Sequence, residues 1–93
     1  MDRPVRYQIL SKQGVEDTGE GKTVNISSRG VLFTCRHNLQ AGRRVKLSIS
    51  WPVPLNDKCG LTLMVRGRVV RSEEGRAAVE IQQHEFRTQS AAP

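Results

Sequence analysis

The segment VKLSISW at 45–51 most constrains the fold, because its apolar and polar residues alternate without interruption. Its apolar residues, at every second position, are Val45, Leu47, Ile49 and Trp51. Successive side chains of a β-strand point to opposite faces, so a period of two is typical of a strand with one face buried. The segment is therefore predicted to be a strand whose apolar side lies in the core.

The same alternation recurs along most of the chain, and helical spacing is almost absent. Further strands are predicted at 5–10, 22–27, 31–36, 61–72 and 76–82. In the second of these, Val24 and Ile26 are expected to share the buried face. The glycine- and acid-rich residues 11–21 are predicted to be a turn-rich connection. The intervals are too short for crossover helices, so an all-β fold is predicted, a six-stranded antiparallel sheet closed into a small barrel.

A length of 93 residues corresponds to one domain, spanning 1–93. The barrel is expected at about 5–82, followed by a tail at 83–93 that could begin with one helical turn anchored by Phe86. Gly67 lies inside an otherwise regular strand pattern. A glycine at such a position indicates a bulge, a bend or the close approach of another backbone.

Several classes of protein are disfavoured by what the sequence lacks. No apolar run approaches the roughly 20 residues that span a bilayer, and no signal peptide follows the start, so a cytoplasmic protein is expected. Cys35 and Cys59 lack the spacing of a zinc site and are expected to be free thiols, with no metal and no cofactor. Neither His37 nor His84 has a triad context, and phosphate-loop motifs are missing, so the chain is not expected to be an enzyme.

The charge balance favours an anionic partner. Lysine and arginine number 15 against 9 acids, a net charge of +6, and eleven of these cations are arginines. The planar guanidinium matches phosphates and guanine edges, so the excess points to a nucleotide, a nucleic acid or an acidic protein surface. A basic surface that merely keeps the protein soluble is the simpler alternative. The outward residues Met64, Arg66 and Arg68 are either a contact for a partner or a solvated strand face.

Two short segments supply the parts of a binding site. Arg3 and Arg6 flank the start of the first strand in DRPVRY, and NISSRG at 25–30 connects the second and third strands. Exposed backbone N–H groups and nearby arginines suit a phosphorylated ligand that carries guanine. An ordinary turn between strands would also contain such residues.

The order of these elements resembles the PilZ domain family. Asn25, Ser27 and Gly30 match its [D/N]xSxxG loop, Gly42 with the strand at 45–49 matches the next element, and VRGRVVR at 65–71 matches the following one. The resemblance covers residues 5 to 82. It implies a six-stranded antiparallel barrel, and many members of the family bind cyclic di-GMP through this loop and an N-terminal RxxxR segment.

Carried over to this chain, the resemblance implies six ligand-binding residues. They are Arg3, Arg6, Asn25, Ser27, Arg29 and Gly30. The arginines are spaced RxxR, and Asp2 stands where an RxxxR pair ending at Arg6 would begin. Three functions therefore stay open: a cyclic di-GMP receptor that acts through a regulatory protein partner, a PilZ-like interaction module that binds no cyclic di-GMP, and a small barrel that binds nucleic acid. The last is disfavoured because Tyr7, Phe33 and Trp51 share the apolar phase of their strands.

Overall fold

The computed structural model describes residues 3–36, 39–51 and 60–89. Its strands, in chain order, are β1 (Pro4–Ser11), β2 (Gly14–Ile26), β3 (Gly30–Thr34), β4 (Arg44–Trp51), β5 (Gly60–Glu73) and β6 (Arg76–Gln89). Every pairing is antiparallel, and the order β1-β2-β3-β6-β5-β4 closes on itself into a barrel. The six-stranded antiparallel barrel predicted from the alternation is confirmed. Within the described part of the chain, no helix is long and apolar enough to cross a membrane.

The alternating apolar residues fill the barrel. Tyr7, Phe33, Val45, Leu47 and Ile49 are fully buried, and the Tyr7 and Phe33 rings lie 5.5 Å apart at a tilt of 46°. Tilted aromatic pairs at this separation add to the stability gained from burial alone. The tyrosine hydroxyl accepts a hydrogen bond from the backbone N–H of Arg36 at 3.3 Å. The side chain of Trp51 and all of Cys59 and His37 lie outside the described residues.

Residues 14–21 are strand, which corrects the predicted connection at 11–21. The chain turns at Ser11–Gly14, where Gly14 has a φ of 116°, and then runs antiparallel to β1. The side chains of 14–18 are exposed, so this stretch has no apolar phase from which a strand could be recognised. Backbone pairing with β1 makes it a strand.

A register shift in β2 changes which residues reach the core. The pairing with β3 is irregular between Thr23 and Asn25, as in a β-bulge, where one strand carries an extra residue. Thr23 is consequently fully buried, whereas Val24 and Ile26 are only half-buried. The expectation that Val24 and Ile26 form the buried face of this strand is therefore wrong in part: Ile26 packs against the core, and Thr23 takes the central position.

The chain beyond residue 82 continues β6 as far as Gln89, so the predicted helical turn near Phe86 is wrong. The reason is the length of β5, which offers hydrogen-bonding partners up to the Gly60↔Gln89 pair. Residues 90–93 of the predicted tail lie outside the described part. Of the three possibilities predicted for Gly67, the structure shows a bulge, since the β5–β6 register shifts between Arg66 and Gly67, and the close approach of another backbone, that of Glu80.

Cys35 is buried among the core residues. Desolvation by burial raises the pKa of its thiol, because the thiolate loses its hydration in apolar surroundings. The thiol is thus neutral at physiological pH and has little nucleophilic character. Among the described residues, no three His, Cys, Asp or Glu side chains form a cluster that could hold a metal ion.

Candidate functional site

The segment 25–30 contains the end of β2, the start of β3 and the tight exposed turn at 27–29 that joins them. Ile26 and Val31 pair across its base, and the backbone N–H of Ser27 donates to the carbonyl oxygen of Gly30 at 2.9 Å. Asn25, Ser27 and Arg29 are all exposed. The turn therefore presents polar side chains to solvent from a base fixed by the sheet.

The hydroxyl of Ser27 organises the turn. Its Oγ accepts hydrogen bonds from the backbone N–H groups of Arg29 at 3.3 Å and Gly30 at 3.2 Å, and it donates to the carbonyl oxygen of Gly30 at 3.4 Å. One donor and two lone pairs are the whole capacity of a hydroxyl. In this structure Ser27 thus shapes the loop, and the side chains free to meet a ligand are those of Asn25 and Arg29.

Replacing Ser27 by alanine is expected to lower the free energy of unfolding by about 1 kcal/mol, because the hydroxyl bonds within the turn are lost. Urea unfolding followed by circular dichroism measures the change. Ser28→Ala is the matched control, since Ser28 is equally exposed in the same turn, and it is expected to change stability by less than about 0.5 kcal/mol. Equal losses in the two variants would contradict a structural role for the Ser27 hydroxyl.

The turn borders a shallow open depression of about 450 Å³ on the outer surface of the barrel. Asn25, Ser27, Arg29 and Gly30 line one side. The other side is formed by β5 and β6, which contribute Val70, Arg71 and Glu80. Four of the six residues assigned to a ligand from the sequence are thereby brought together.

Hydrogen bonds between strands fix the two sides of this depression to each other. Gly30 pairs with Glu80, and the backbone N–H of Ile81 donates to the carbonyl oxygen of Arg29 at 2.8 Å. Gly30 has little space for a side chain, because a Cβ there would lie 3.1 Å from the carbonyl oxygen of Val79. This glycine therefore allows the close packing of the turn on β6.

The charges around the depression are mixed. Arg29 and Arg71 are exposed cations, and the Nε of Arg71 lies 4.0 Å from a carboxylate oxygen of Glu73. Both partners of that pair are more than 70% exposed, so solvent screens the interaction and Arg71 remains able to bind an anion. Glu80 adds one exposed carboxylate. The arrangement suits a ligand that presents both anionic oxygens and N–H donors.

Arg6 is not brought to this depression. It pairs with Glu20 across β1 and β2, and its Nε lies 3.4 Å from a carboxylate oxygen of that residue. Asn25 lies five positions beyond Glu20 on β2, which places Arg6 roughly 15 Å from the turn. It borders a larger depression of about 900 Å³ together with Lys22 and Ser48, on a different part of the barrel surface.

Arg3 lies closer to the turn, but its side chain is half-buried. Its backbone exchanges hydrogen bonds with Thr23, from the Arg3 N–H to Oγ1 at 3.0 Å and from the Thr23 N–H to the Arg3 carbonyl at 2.9 Å. Arg3 lies two positions before the buried Val5, so the two side chains lie on the same face. The Nε of Arg3 is buried. The structure thus places Arg3 near Asn25 in the sheet and directs its side chain inward.

Arg71, Glu80 and Val70 were not assigned to the site from the sequence. They are distant from Asn25 along the chain and reach it only through the β3–β6 and β5–β6 registers. The sequence did contain one signal, since Arg71 ends the VRGRVVR segment already matched to the family. For Glu80, the sequence contained no signal other than its being a polar residue in a strand with an alternating pattern.

Comparison with known proteins supports the fold. The model of the PilZ domain family matches residues 2–91, nearly the whole chain. Searches of curated proteins and of solved structures found no match. The matched region contains the complete barrel, including the turn at 25–30 and the long β5–β6 hairpin. The chain therefore belongs to the PilZ domain family.

Proposed function

We propose that this PilZ domain is a cyclic di-GMP receptor that acts through a protein partner and binds the dinucleotide at the Asn25–Gly30 turn. PilZ domains are in general modules for cyclic di-GMP binding and signalling, and not catalytic domains. The observation that carries the proposal is the open depression that Asn25 and Arg29 share with Arg71 and Glu80.

The chemistry of these side chains matches the dinucleotide. Arg29 or Arg71 would bind a phosphate or the O6 and N7 acceptors of guanine, for which a guanidinium has the right geometry. The amide of Asn25 offers both a donor and an acceptor to a guanine edge. The carboxylate of Glu80 would accept hydrogen bonds from the N1–H and N2–H groups of guanine.

A PilZ-like interaction module that binds no cyclic di-GMP is the second candidate, and the arginines near the start of the chain favour it. Arg6 lies beside Glu20, roughly 15 Å from the turn, and the side chain of Arg3 is half-buried, with a buried Nε. Each missing charge-assisted hydrogen bond would weaken binding by about 1.5–3 kcal/mol.

Titration calorimetry with cyclic di-GMP decides between the two candidates. If the dinucleotide binds with a dissociation constant in the micromolar range or below, Asn25→Ala and Arg29→Gln are each expected to weaken it at least about tenfold, which is about 1.4 kcal/mol. Arg71→Gln is expected to have a similar effect. Arg76→Gln is the matched control, because it removes an exposed arginine that does not line this depression.

Two results would contradict the receptor proposal. One is the absence of heat at dinucleotide concentrations 100-fold above the micromolar range, which would support the interaction module. The other is binding that is insensitive to changes at Asn25, Arg29 and Arg71 but lost on Arg6→Gln, which would move the site to the depression around Arg6.

A further inference from the structure

Four basic side chains meet on the outer face of β4 and β5. The register pairs Arg44 directly with Arg68 and Lys46 directly with Arg66. These positions alternate with Val45, Val65 and other buried residues, so the four cations point away from the core. They form a compact basic patch, with about 5 Å between the Cβ atoms of each pair and about 7 Å between successive positions on a strand.

The acidic residues that the structure describes form no ion pair with the basic patch. Glu80 pairs in register with Arg68, and Glu85 stands nearby, but Arg87 holds the Glu85 carboxylate from its Nε at 3.1 Å and its Nη2 at 2.8 Å. On the β1 side, the register neighbours are the uncharged Gln8 and Leu10. Among the described residues, none of the four cations lies within 4.0 Å of a carboxylate oxygen.

Such an arrangement is unfavourable for the isolated domain. Like charges directly opposite each other on one face of a sheet repel and lower its stability. No buried contact offsets the repulsion, since Arg44, Arg66 and Arg68 are exposed. An anionic partner that approaches the basic patch would relieve this repulsion and gain charge-assisted hydrogen bonds in the same step.

The surroundings of the basic patch favour a polypeptide over a nucleic acid. Leu10 and Met64 lie half-exposed beside it, and Val70 is 53% exposed near its Arg68 end. Non-specific binding of single strands relies on aromatic side chains that stack on bases. Among the side chains that the structure describes, Tyr7 and Phe33 are inside the barrel. Phe86 is 52% exposed, but it pairs with Leu63 and so lies on the opposite face of the sheet from the basic patch.

We propose that this basic patch binds an extended acidic segment of a partner protein, with carboxylates at alternate positions. Alternate residues of an extended chain are about 6.6–6.8 Å apart, which matches the spacing of Arg44 to Lys46 and of Arg66 to Arg68. The groove of about 560 Å³ that runs from Lys46 and Arg66 past Met64 to Gln83 continues the contact surface. Binding at this face does not require cyclic di-GMP.

Fluorescence anisotropy with two labelled hexapeptides of one composition tests the spacing. One peptide alternates glutamate and serine, and the other places three glutamates before three serines. The alternating peptide is expected to bind the unliganded protein at least about threefold more tightly. Equal binding of the two peptides, or tighter binding of an oligothymidylate with three phosphates, would overturn the proposal, because either result indicates attraction by net charge alone.

Paired variants test the position. Arg44→Gln combined with Arg66→Gln is expected to weaken the alternating peptide about tenfold, if each exposed contact contributes within the range of surface ion pairs. Arg36→Gln combined with Arg76→Gln removes the same charge from outside the basic patch and is expected to change affinity less than twofold. Equal losses in both double variants would overturn the assignment of the binding face.

The same variants provide a readout that needs no ligand. The melting temperature of the Arg44→Gln, Arg66→Gln variant is expected to rise by roughly 1–6 °C relative to the Arg36→Gln, Arg76→Gln control, because two cross-strand repulsions are removed. A lower melting temperature than that of the control would show that contacts within the chain already compensate these cations, and the proposal would then be wrong.

Discussion

Phe33→Ala is expected to lower the free energy of unfolding by about 4 kcal/mol, a large part of the stability of a small domain. Phe33 is fully buried in β3, and its ring packs 5.5 Å from that of Tyr7 on β1. Truncation removes this contact and leaves a cavity between strands on different sides of the barrel. Because the ladders on both sides of β3 hold its backbone, the neighbouring strands can collapse only partly into that space.

Urea unfolding monitored by circular dichroism measures the loss. Leu32→Ala is the matched control, since Leu32 precedes Phe33 on the same strand and its half-buried side chain points to the outer face. Its loss is expected to be below about 1.5 kcal/mol. If the two variants lost similar amounts, Phe33 would not be the centre of the core. A Phe33→Ala protein that is still folded should keep the turn at 25–30. Titration of this variant with cyclic di-GMP therefore separates the effect on stability from any effect on binding.

The barrel could be predicted from the sequence because the decisive signal is local. Alternation at positions such as Val45, Leu47 and Ile49 determines the inward face of a strand without knowledge of its partners. These residues are buried in the structure, as are Tyr7 and Phe33. Leu39, in the loop before β4, is buried as well, as expected for an apolar residue that dips into the core.

Pairing and register could not be read in the same way, because they depend on residues far apart in the chain. The first half of β2 is exposed and polar, and only its ladder with β1 makes it a strand. The strand character of residues 83–89 likewise comes from the unusual length of β5. In both cases local composition suggested a loop or a turn, and tertiary pairing determined the outcome.

The candidate site, like the fold, could be predicted from the sequence only where the signal is local. The turn residues Asn25 and Arg29 follow one another closely, so a sequence motif locates them together. Arg71 and Glu80 join them only through strand register, and Arg6 is placed elsewhere by its pairing with Glu20. The distance between Arg6 and the turn means that any dinucleotide held at the turn would depend on cations from β5 as well as from the loop.

Gly67→Ala is expected to destabilise the barrel by about 3 kcal/mol, toward the upper end of what overpacking costs. A Cβ at this position would lie 2.0 Å from the carbonyl oxygen of Glu80 and 2.8 Å from Cγ1 of Val79. The first of these contacts is with backbone, so no change of side-chain rotamer relieves it. β6 would have to move away from β5 at the bulge between Arg66 and Gly67.

Thermal unfolding measures this loss, and the expected fall in melting temperature is roughly 12–24 °C. Gly75→Asn is the matched glycine control. Nothing lies within 4 Å of a Cβ at Gly75, and its φ of +72° is one that asparagine tolerates. That variant is expected to change the melting temperature by only a few degrees. Equal falls in the two variants would contradict the close approach of Glu80 as the reason that Gly67 is required.

The Gly67 variant also connects the fold to the proposed site. A displacement of β6 at Glu80 would move that carboxylate and the turn, which the Gly30↔Glu80 pair joins to β6, away from Arg71 on β5. Cyclic di-GMP affinity, measured below the melting temperature of the variant, is therefore expected to fall in Gly67→Ala and to stay unchanged in Gly75→Asn. Unchanged affinity in a destabilised Gly67→Ala protein would show that the ligand does not use the β5 side of the depression.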